Sequence, residues 1–324
     1  MNRVRLGLYG SNGHQLLGIP AVGDLQIVAT AGFEPAASPP GATHHDTLGA
    51  LLADDRVELV ALCSPRRADQ ADDAIRALHA GRHVYAEKPA ALTEHDLDRI
   101  IRAARDTGRL FHEMGNGLAW TQPYRSVRHA IEAGRLGAVV QVFAQKSYPW
   151  ADWRSHDDAV DGGLIAQSAG HALRMIEQVA GQRIAAIDAV QTHLGGPEAA
   201  TASGPMAAAI TLRLENGGLA SAIANYLNPR TLGVWGYDVL RVFGTRGMVE
   251  VTDGGRQTRM VLDDRDHGPL DLDEPTVDPL ATLIGAIRGR QAMPYEPDVE
   301  LRPTRWALRA RDAARLHADP ESAL

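Results

Sequence analysis

His83-Val84-Tyr85-Ala86-Glu87-Lys88-Pro89 is the stretch on which the reading of this chain turns. Its first four residues read as a short strand, and Pro89 ends that strand because proline has no N–H to give a sheet. A lysine beside a carboxylate, carried out at the carboxyl end of a parallel strand, stands where open α/β sheets bind dinucleotides and their substrates. Lys88 is therefore a candidate proton carrier. Taken alone, Glu87-Lys88-Pro89 is a common tripeptide better read as a solvated surface turn, so the flanking sequence has to decide.

Outward from that stretch, strand and helix alternate. Residues 3–9 read as a strand, and Gly10-Ser11-Asn12-Gly13 turns it toward a short helix that Pro20 ends. Residues 26–31 form a second strand, and proline and glycine crowd a loop at 35–41. Leu48, Leu51 and Leu52 share a helical face before an apolar strand at 59–62, which closes on Cys63-Ser64-Pro65. Ala71, Ala74, Ile75 and Leu78 define a helix that Gly81 stops. Thr93 with Asp96 resembles a capping box, and Leu97, Ile100, Ile101 and Ala104 give the next helix its buried stripe. Residues 110–114 are a last short strand. With right-handed crossovers this alternation implies a doubly wound parallel sheet over residues 1–118.

Residues 119–324 obey another grammar. A helix at 124–133, a strand at 139–146 and a Trp-, Asp- and Gly-rich loop at 147–163 precede a longer helix. From Ile187 strands succeed one another: 207–215 meets 218–225 through the hairpin signal Asn216-Gly217, and 238–243 and 248–252 flank Gly244-Thr245-Arg246-Gly247. The expectation is a second α/β domain with an open-faced, mostly antiparallel sheet, one face covering a helix and site, the other free for subunit pairing. Helices near 278–288 and 303–317 finish the chain, the last able to pack back on the first domain.

Composition narrows the function classes. The 324 residues suffice for two cores, and 44% hydrophobic content with only 5% aromatic suits layered helices and parallel strands. A net charge of -7 without a basic run argues against a nucleic-acid partner. The single Cys63 excludes an internal disulfide, no basic-then-apolar leader precedes Val4, and no apolar run approaches the ~18 residues of a membrane span. A cytoplasmic protein without membrane contact is expected.

The turn after the first strand offers backbone N–H groups and a helix N-terminus, the requirement for holding a pyrophosphate. Gly7, Gly10, Asn12 and Gly13 depart from G-x-G-x-x-G: Asn12 stands at the second glycine and Gln15 at the third. Asparagine tolerates left-handed angles, so the turn survives. Gly10, Ser11, Asn12, Gly13 and His14 are candidate cofactor contacts. So are Gly32 and Phe33 after the second strand, Cys63, Ser64 and Pro65 after the 59–62 strand, Glu87, Lys88, and Asn116. Gly32-Phe33 falls where an acid would bond a ribose diol, which leaves NAD against NADP open. Cys63 reads as buried filler rather than a nucleophile.

Gly162-Gly163 opens a helix on which Gln167, His171, Arg174 and Gln178 share one face, opposite Ile165, Ala169, Ala172, Ile176 and Val179. The polar face is either the wet side of a surface helix or an active-site wall, and a glycine pair that permits close backbone packing favours the wall. Oxidising a secondary alcohol by hydride transfer leaves an O–H proton to remove, which His171 or Lys88 could accept.

Glu87-Lys88-Pro89, Trp120-x-x-Pro123-Tyr124, Glu132-Ala133-Gly134-Arg135-Leu136-Gly137, the Gly162-Gly163 to His171 spacing and Gly244-Thr245-Arg246-Gly247 together resemble the Gfo/Idh/MocA family over nearly the whole chain. That resemblance implies a Rossmann domain, an open-faced α/β domain, a tightly held NAD or NADP, and sugar, polyol or sugar-acid substrates. It implies that Lys88 and His171 serve proton transfer and substrate binding, and that a homodimer or homotetramer forms through the C-terminal sheet. The chain departs from the pattern at Gln167, where an acid is usual, at Trp120, where arginine is frequent, and at Arg174, where an aspartate often follows the histidine. Glutamine can orient a hydroxyl but cannot take its proton, so base chemistry shifts to Lys88 or His171. Arg154, with a fork suited to a carboxylate or vicinal oxygens, Trp153 and Tyr148 are further substrate candidates, against a loop in which the arginine pairs with a local Asp. His44-His45-Asp46 and His156-Asp157-Asp158 lack regular ligand spacing, so no metal is expected. Two rivals to a dehydrogenase remain: a non-catalytic dinucleotide-binding sensor or subunit, and an enzyme using the cofactor transiently for elimination or glycoside cleavage.

Overall fold

The computed structural model describes residues 3–16, 24–115, 117–151, 153–155, 157–195 and 204–318. They fall into two compact units: Met1–Gly115 with Asp158–Gly162 and Asp278–Arg302, and Asn116–Asp157 with Gly163–Val277 and Pro303–Leu324.

In the first unit six parallel strands form one sheet: β1 (Val4–Tyr9), β2 (Leu25–Ala31), β3 (Thr43–His45), β4 (Leu59–Leu62), β5 (His83–Ala86) and β6 (Phe111–Glu113), in the order β3-β2-β1-β4-β5-β6. All four residues of β4 are buried, the continuous apolar run that a parallel strand covered on both faces needs. The order reverses between β1 and β4, which opens a crevice at their carboxyl ends. Helices α1 (Leu48–Leu52), α2 (Gln70–His79) and α3 (Glu94–Thr107) supply crossovers. Thr93 caps α3 by accepting from the Asp96 N–H at 3.0 Å, and Gly108 at φ +63° ends it. The helix Pro279–Ile287 contributes Leu280, Leu283 and Ile284 to the core around Val4, Leu6, Leu8 and Leu59.

Two details differ from the sequence reading. Thr43–His45 forms an edge strand, too short to show a period. No helix begins by Leu16 after the first turn, and residues 17–23 lie outside the described residues.

The second unit begins with α4 (Tyr124–Glu132) and holds eight strands: β7 (Val139–Ser147), β8 (Ile184–Thr192), β9 (Ala207–Leu214), β10 (Leu219–Asn225), β11 (Tyr237–Gly244), β12 (Gly247–Thr252), β13 (Gln257–Leu262) and β14 (Arg265–Gly268). Their order is β14-β13-β12-β11-β7-β10-β9-β8, antiparallel except for β7 against β10. Along β9 and β10 burial alternates, so one face builds a core while the other stays open. The β13–β14 hairpin was not anticipated: it turns on Asp263 and Asp264, both at positive φ without a glycine to signal it.

Residues 165–179 run as π turns at Ile165–Ala169 and Met175–Val179 on either side of an α-helical Gly170–Arg174. Such i→i+5 bonding adds a residue to the turn and rotates every later side chain about the helix axis. Arg174 and Gln178 are consequently buried, with Arg174 Nη1 donating to Gln178 Oε1 at 3.1 Å, and are not a wet outer face. Among the described residues no helix is long and apolar enough to cross a membrane.

Gly247, at φ +149°, has the Val261 carbonyl oxygen 2.1 Å from where a Cβ would sit, whereas Gly217, at φ +87°, faces open space. We expect Gly247→Ala to cost about 3 kcal/mol and Gly217→Ala about 1 kcal/mol, measured as denaturation midpoints. Equal costs would show that backbone strain alone governs both turns.

Candidate active site

Gly10, at φ +69°, passes so closely over the end of β4 that a Cβ would lie 2.1 Å from the Cys63 carbonyl oxygen. The Asn12 amide donates to Val160 O at 2.6 Å and Pro65 O at 3.2 Å, which ties the turn to residues 158–162 and to the loop after β4. The His14 N–H donates to Glu87 Oε2 at 2.6 Å, and the ring Nδ1 lies 2.9 Å from the same oxygen.

The N–H groups of Gly10, Asn12, Gly13 and Gln15 all go to backbone carbonyls, and that of Leu16 goes to Gln15 Oε1. The expected open cradle of N–H groups is thus largely closed on itself. The anion it does hold, at His14, is the carboxylate of the protein's own Glu87.

Glu87-Lys88-Pro89 leaves β5 through a buried polar net. The Gln70 amide donates to Glu87 O at 2.5 Å and Pro89 O at 3.1 Å, and Ala90 N–H donates to Glu113 Oε1 at 2.7 Å. Arg67, 2% exposed, donates to Gln70 Oε1 and, at 2.7 Å, to Asn12 O. Gly162 adopts φ +94°, and a Cβ there would come within 2.9 Å of the Pro89 ring. The backbone of 158–162 can lie against this turn because position 162 is glycine. Lys88 is half-buried at the carboxyl edge of the sheet. Burial pushes the Glu87 carboxyl up, but the hydrogen bond from His14 and the charges of Lys88, His14 and Arg67 outweigh it and hold the group at about 2.

Cys63 is buried and its thiol is pushed up to about 12, mainly by desolvation, so it is no nucleophile. The buried Ser64 hydroxyl donates to Asp73 Oδ2 at 2.8 Å, so Ser64 turns its side chain inward. Gly32, at φ +76°, lies over the Tyr9 ring, and Phe33 meets His44 edge-on at 6.3 Å. Asn116 lies outside the described residues.

In the second unit, strand order gathers a second cluster. β7 and β10 are parallel neighbours and β11 runs antiparallel beside β7, so Tyr148 after β7, Tyr226 after β10 and Trp235 before β11 emerge at one end of the sheet. Arg154, 6% exposed, sits among them, its guanidinium carbon 4.0 Å from the Tyr226 ring centre, 5.2 Å from Trp153, 5.4 Å from Tyr148 and 5.7 Å from Trp235. Its Nη1 donates to Gln167 Oε1 at 2.8 Å, and Tyr226 OH donates to the same oxygen at 3.1 Å. Within residues 164–180 only Gln167, Gly170 and His171 are not buried. Tyr226 and Trp235 were not legible in the sequence, nor were Arg67 and Gln70. His45 pairs with Asp54 at 3.2 Å and the His44 ring lies 3.2 Å from Thr30 Oγ1, while His156 lies outside the described residues.

A parallel sheet of this order with a glycine turn at its switch point, together with an open antiparallel sheet, defines a two-unit dinucleotide-binding class. Residues 22–114 match the model of an oxidoreductase family with an NAD-binding Rossmann fold, and residues 124–250 match the GFO/IDH/MocA C-terminal domain, together about two thirds of the chain. The chain belongs to the GFO/IDH/MocA oxidoreductase family. It is 25% identical over 218 residues to a myo-inositol 2-dehydrogenase of Thermotoga maritima, spanning 66% of this chain and 62% of that one. The alignments thus cover about three fifths of the length of such curated relatives. Its fold matches the aldose-aldose oxidoreductase of Caulobacter crescentus complexed with glycerol (TM-score 0.79, 18% identity, 98% of each chain). It also matches the WlbA dehydrogenase of Bordetella pertussis in complex with NADH and UDP-GlcNAcA (TM-score 0.77, 21% identity, 97% of each chain).

Glu87 has an ordinary value of 4.5 and is held at about 2 in the folded protein, so its contribution to stability is complete above about pH 4.5 and is lost as pH falls toward 2. Glu87→Gln should flatten that part of the acid limb in a denaturation series from pH 5 to 2. A variant whose acid limb overlays the parent would remove Glu87 from the accounting.

Proposed function

We propose that the protein is an NAD(P)-dependent dehydrogenase or reductase acting on a C–OH carbon of a small sugar, polyol or sugar-acid substrate. The observation that carries this reading is the narrow accessible strip Gln167, Gly170 and His171 on an otherwise buried helix, bordered by Arg154 and a set of aromatic rings. A helix buried all round except at this strip has kept an amide and an imidazole half-buried rather than replacing them with apolar groups, with His171 Nε2 itself withdrawn from solvent. The names of relatives in inositol and aldose chemistry support the substrate class.

Bound nicotinamide would supply hydride transfer. Its dinucleotide would lie along the carboxyl edge of the first sheet, contacted by Gly10, Ser11, Asn12, Gly13 and His14, by Gly32 and Phe33, by Cys63, Ser64 and Pro65, and by Glu87, Lys88 and Asn116. Binding there requires the Glu87 carboxylate to share His14 with a phosphate. We assign hydroxyl-proton handling and substrate contact to Lys88 in the first unit and to His171 in the second, where Gln167, Arg154, Trp153 and Tyr148 are further substrate contacts. Gln167 orients rather than titrates, since its carbonyl oxygen already accepts from Arg154 and Tyr226. Cytoplasmic residence fits the single, buried thiol. Pairing of copies through the open sheet face fits the row Phe243, Gln141, Leu219, in which Phe243 and Leu219 are exposed.

In a screen of polyols, aldoses and sugar acids with NAD and NADP, Lys88→Ala should lose about 10²–10⁴ of turnover while dinucleotide binding, followed by fluorescence, remains measurable. His171→Ala should lose about 10². Undiminished turnover in Lys88→Ala would refute its role. Product formed without net cofactor reduction would favour transient cofactor use.

A further inference from the structure

Arg154 is a cation almost wholly withdrawn from water, at 6% exposed. Among the described residues no carboxylate lies within ion-pair distance of it: its side-chain bond goes to the neutral Gln167, and its Nε is buried without an acceptor. Lys146, whose Nζ lies 5.0 Å from the Tyr148 ring centre, brings a carboxylate with it, but that carboxylate, Asp238 on the neighbouring strand, is engaged by Lys146 itself at 2.9 Å. Four aromatic rings around the guanidinium stabilise it in part, yet each cation–π contact is worth far less than removing a charge from water costs. The cage is open on one side, since Trp153 is 73% and Trp235 45% exposed, and the two rings stack at 5.9 Å beside the guanidinium. A planar fork between flat rings fits a flat anion attached to a ring or chain whose C–H face lies on indole.

We infer that the substrate is a sugar acid whose carboxylate pairs with Arg154. This rests on the oxidoreductase reading for placing a substrate at Gln167 and His171, and narrows it from polyols in general to anionic ones. Neutral Gln167 is central: a glutamate there would give Arg154 an internal counterion and displace the substrate's.

The test uses the full chain with NAD or NADP present and three probe sets: hexuronates and aldonates, the corresponding neutral aldoses and alditols, and hexose phosphates. Two readouts are taken, quenching of tryptophan fluorescence and kcat/KM. The parent should bind at least one carboxylate about a hundredfold more tightly than its neutral counterpart. Gln167→Glu should collapse that ratio to a few-fold. Arg154→Lys, which keeps the charge and loses the fork, should retain about a tenfold ratio, and Arg154→Met none. Should Arg154→Met fail to fold, Gln167→Glu and Trp153→Ala, the latter altering an exposed ring, carry the test. Asp152→Asn should preserve the ratio, and loss of the ratio in that variant would overturn the assignment.

Equal binding of acid and neutral probes, tighter binding of hexose phosphates, or an acid preference that survives Gln167→Glu would each overturn the inference. Carboxylate binding that depends on Arg154 without turnover would uphold it and sink the dehydrogenase reading. Turnover of neutral polyols as fast as acids would do the reverse.

Discussion

Arg67 is the side chain on which the carboxyl edge of the first sheet depends. It is a buried cation that reaches the Asn12 carbonyl with one nitrogen and Gln70 with another, and Gln70 in turn grips the carbonyls of Glu87 and Pro89. The glycine turn after β1 and the lysine-bearing turn after β5 are thereby one hydrogen-bonded body, although 73 residues separate His14 from its partner Glu87. A buried charge in such a net adds little to stability relative to a packed apolar residue, but breaking it leaves several groups stranded at once. Its value is definition: it fixes where Lys88 leaves the sheet.

The second unit solves a different problem. Its central strands are polar at one end only, where Tyr148, Tyr226 and Trp235 converge, and the rest of the inner face is a continuous apolar core against residues 165–179. π turns let that helix bury Arg174 and Gln178 while leaving Gln167 and His171 half-buried. A regular α-helix would have turned all four the same way, which is what their spacing in the sequence suggests.

What was legible and what was not divides along that line. β4 was read residue for residue because four consecutive apolar residues between Glu58 and Cys63 admit few alternatives, and α3 was legible from its Thr93 cap and its buried stripe. The Asn216-Gly217 hairpin announced itself through turn chemistry. β3 and the β13–β14 hairpin did not, since a three-residue edge and an Asp-Asp turn carry no periodic or glycine signal. In the candidate site, Gln167, His171 and Arg154 stood out as polar residues in apolar or aromatic surroundings. Tyr226 and Trp235 could not, because only the order β11-β7-β10 brings them to Arg154, and strand order is a property of the whole sheet.

The same order explains why one neutral residue matters so much. Arg154 arrives from the loop after β7, and the sheet offers it rings from three strand ends and an amide from the helix, all of them polarisable and none of them charged. A low-dielectric setting magnifies whatever charge finally meets that guanidinium, and it equally magnifies the penalty when none does. For the sugar acid we infer as substrate, selectivity built this way would need no extra contact to reject a neutral molecule: a guanidinium left unmet would itself be the rejecting element, since leaving a buried charge unpaired costs more than a missing methylene ever could.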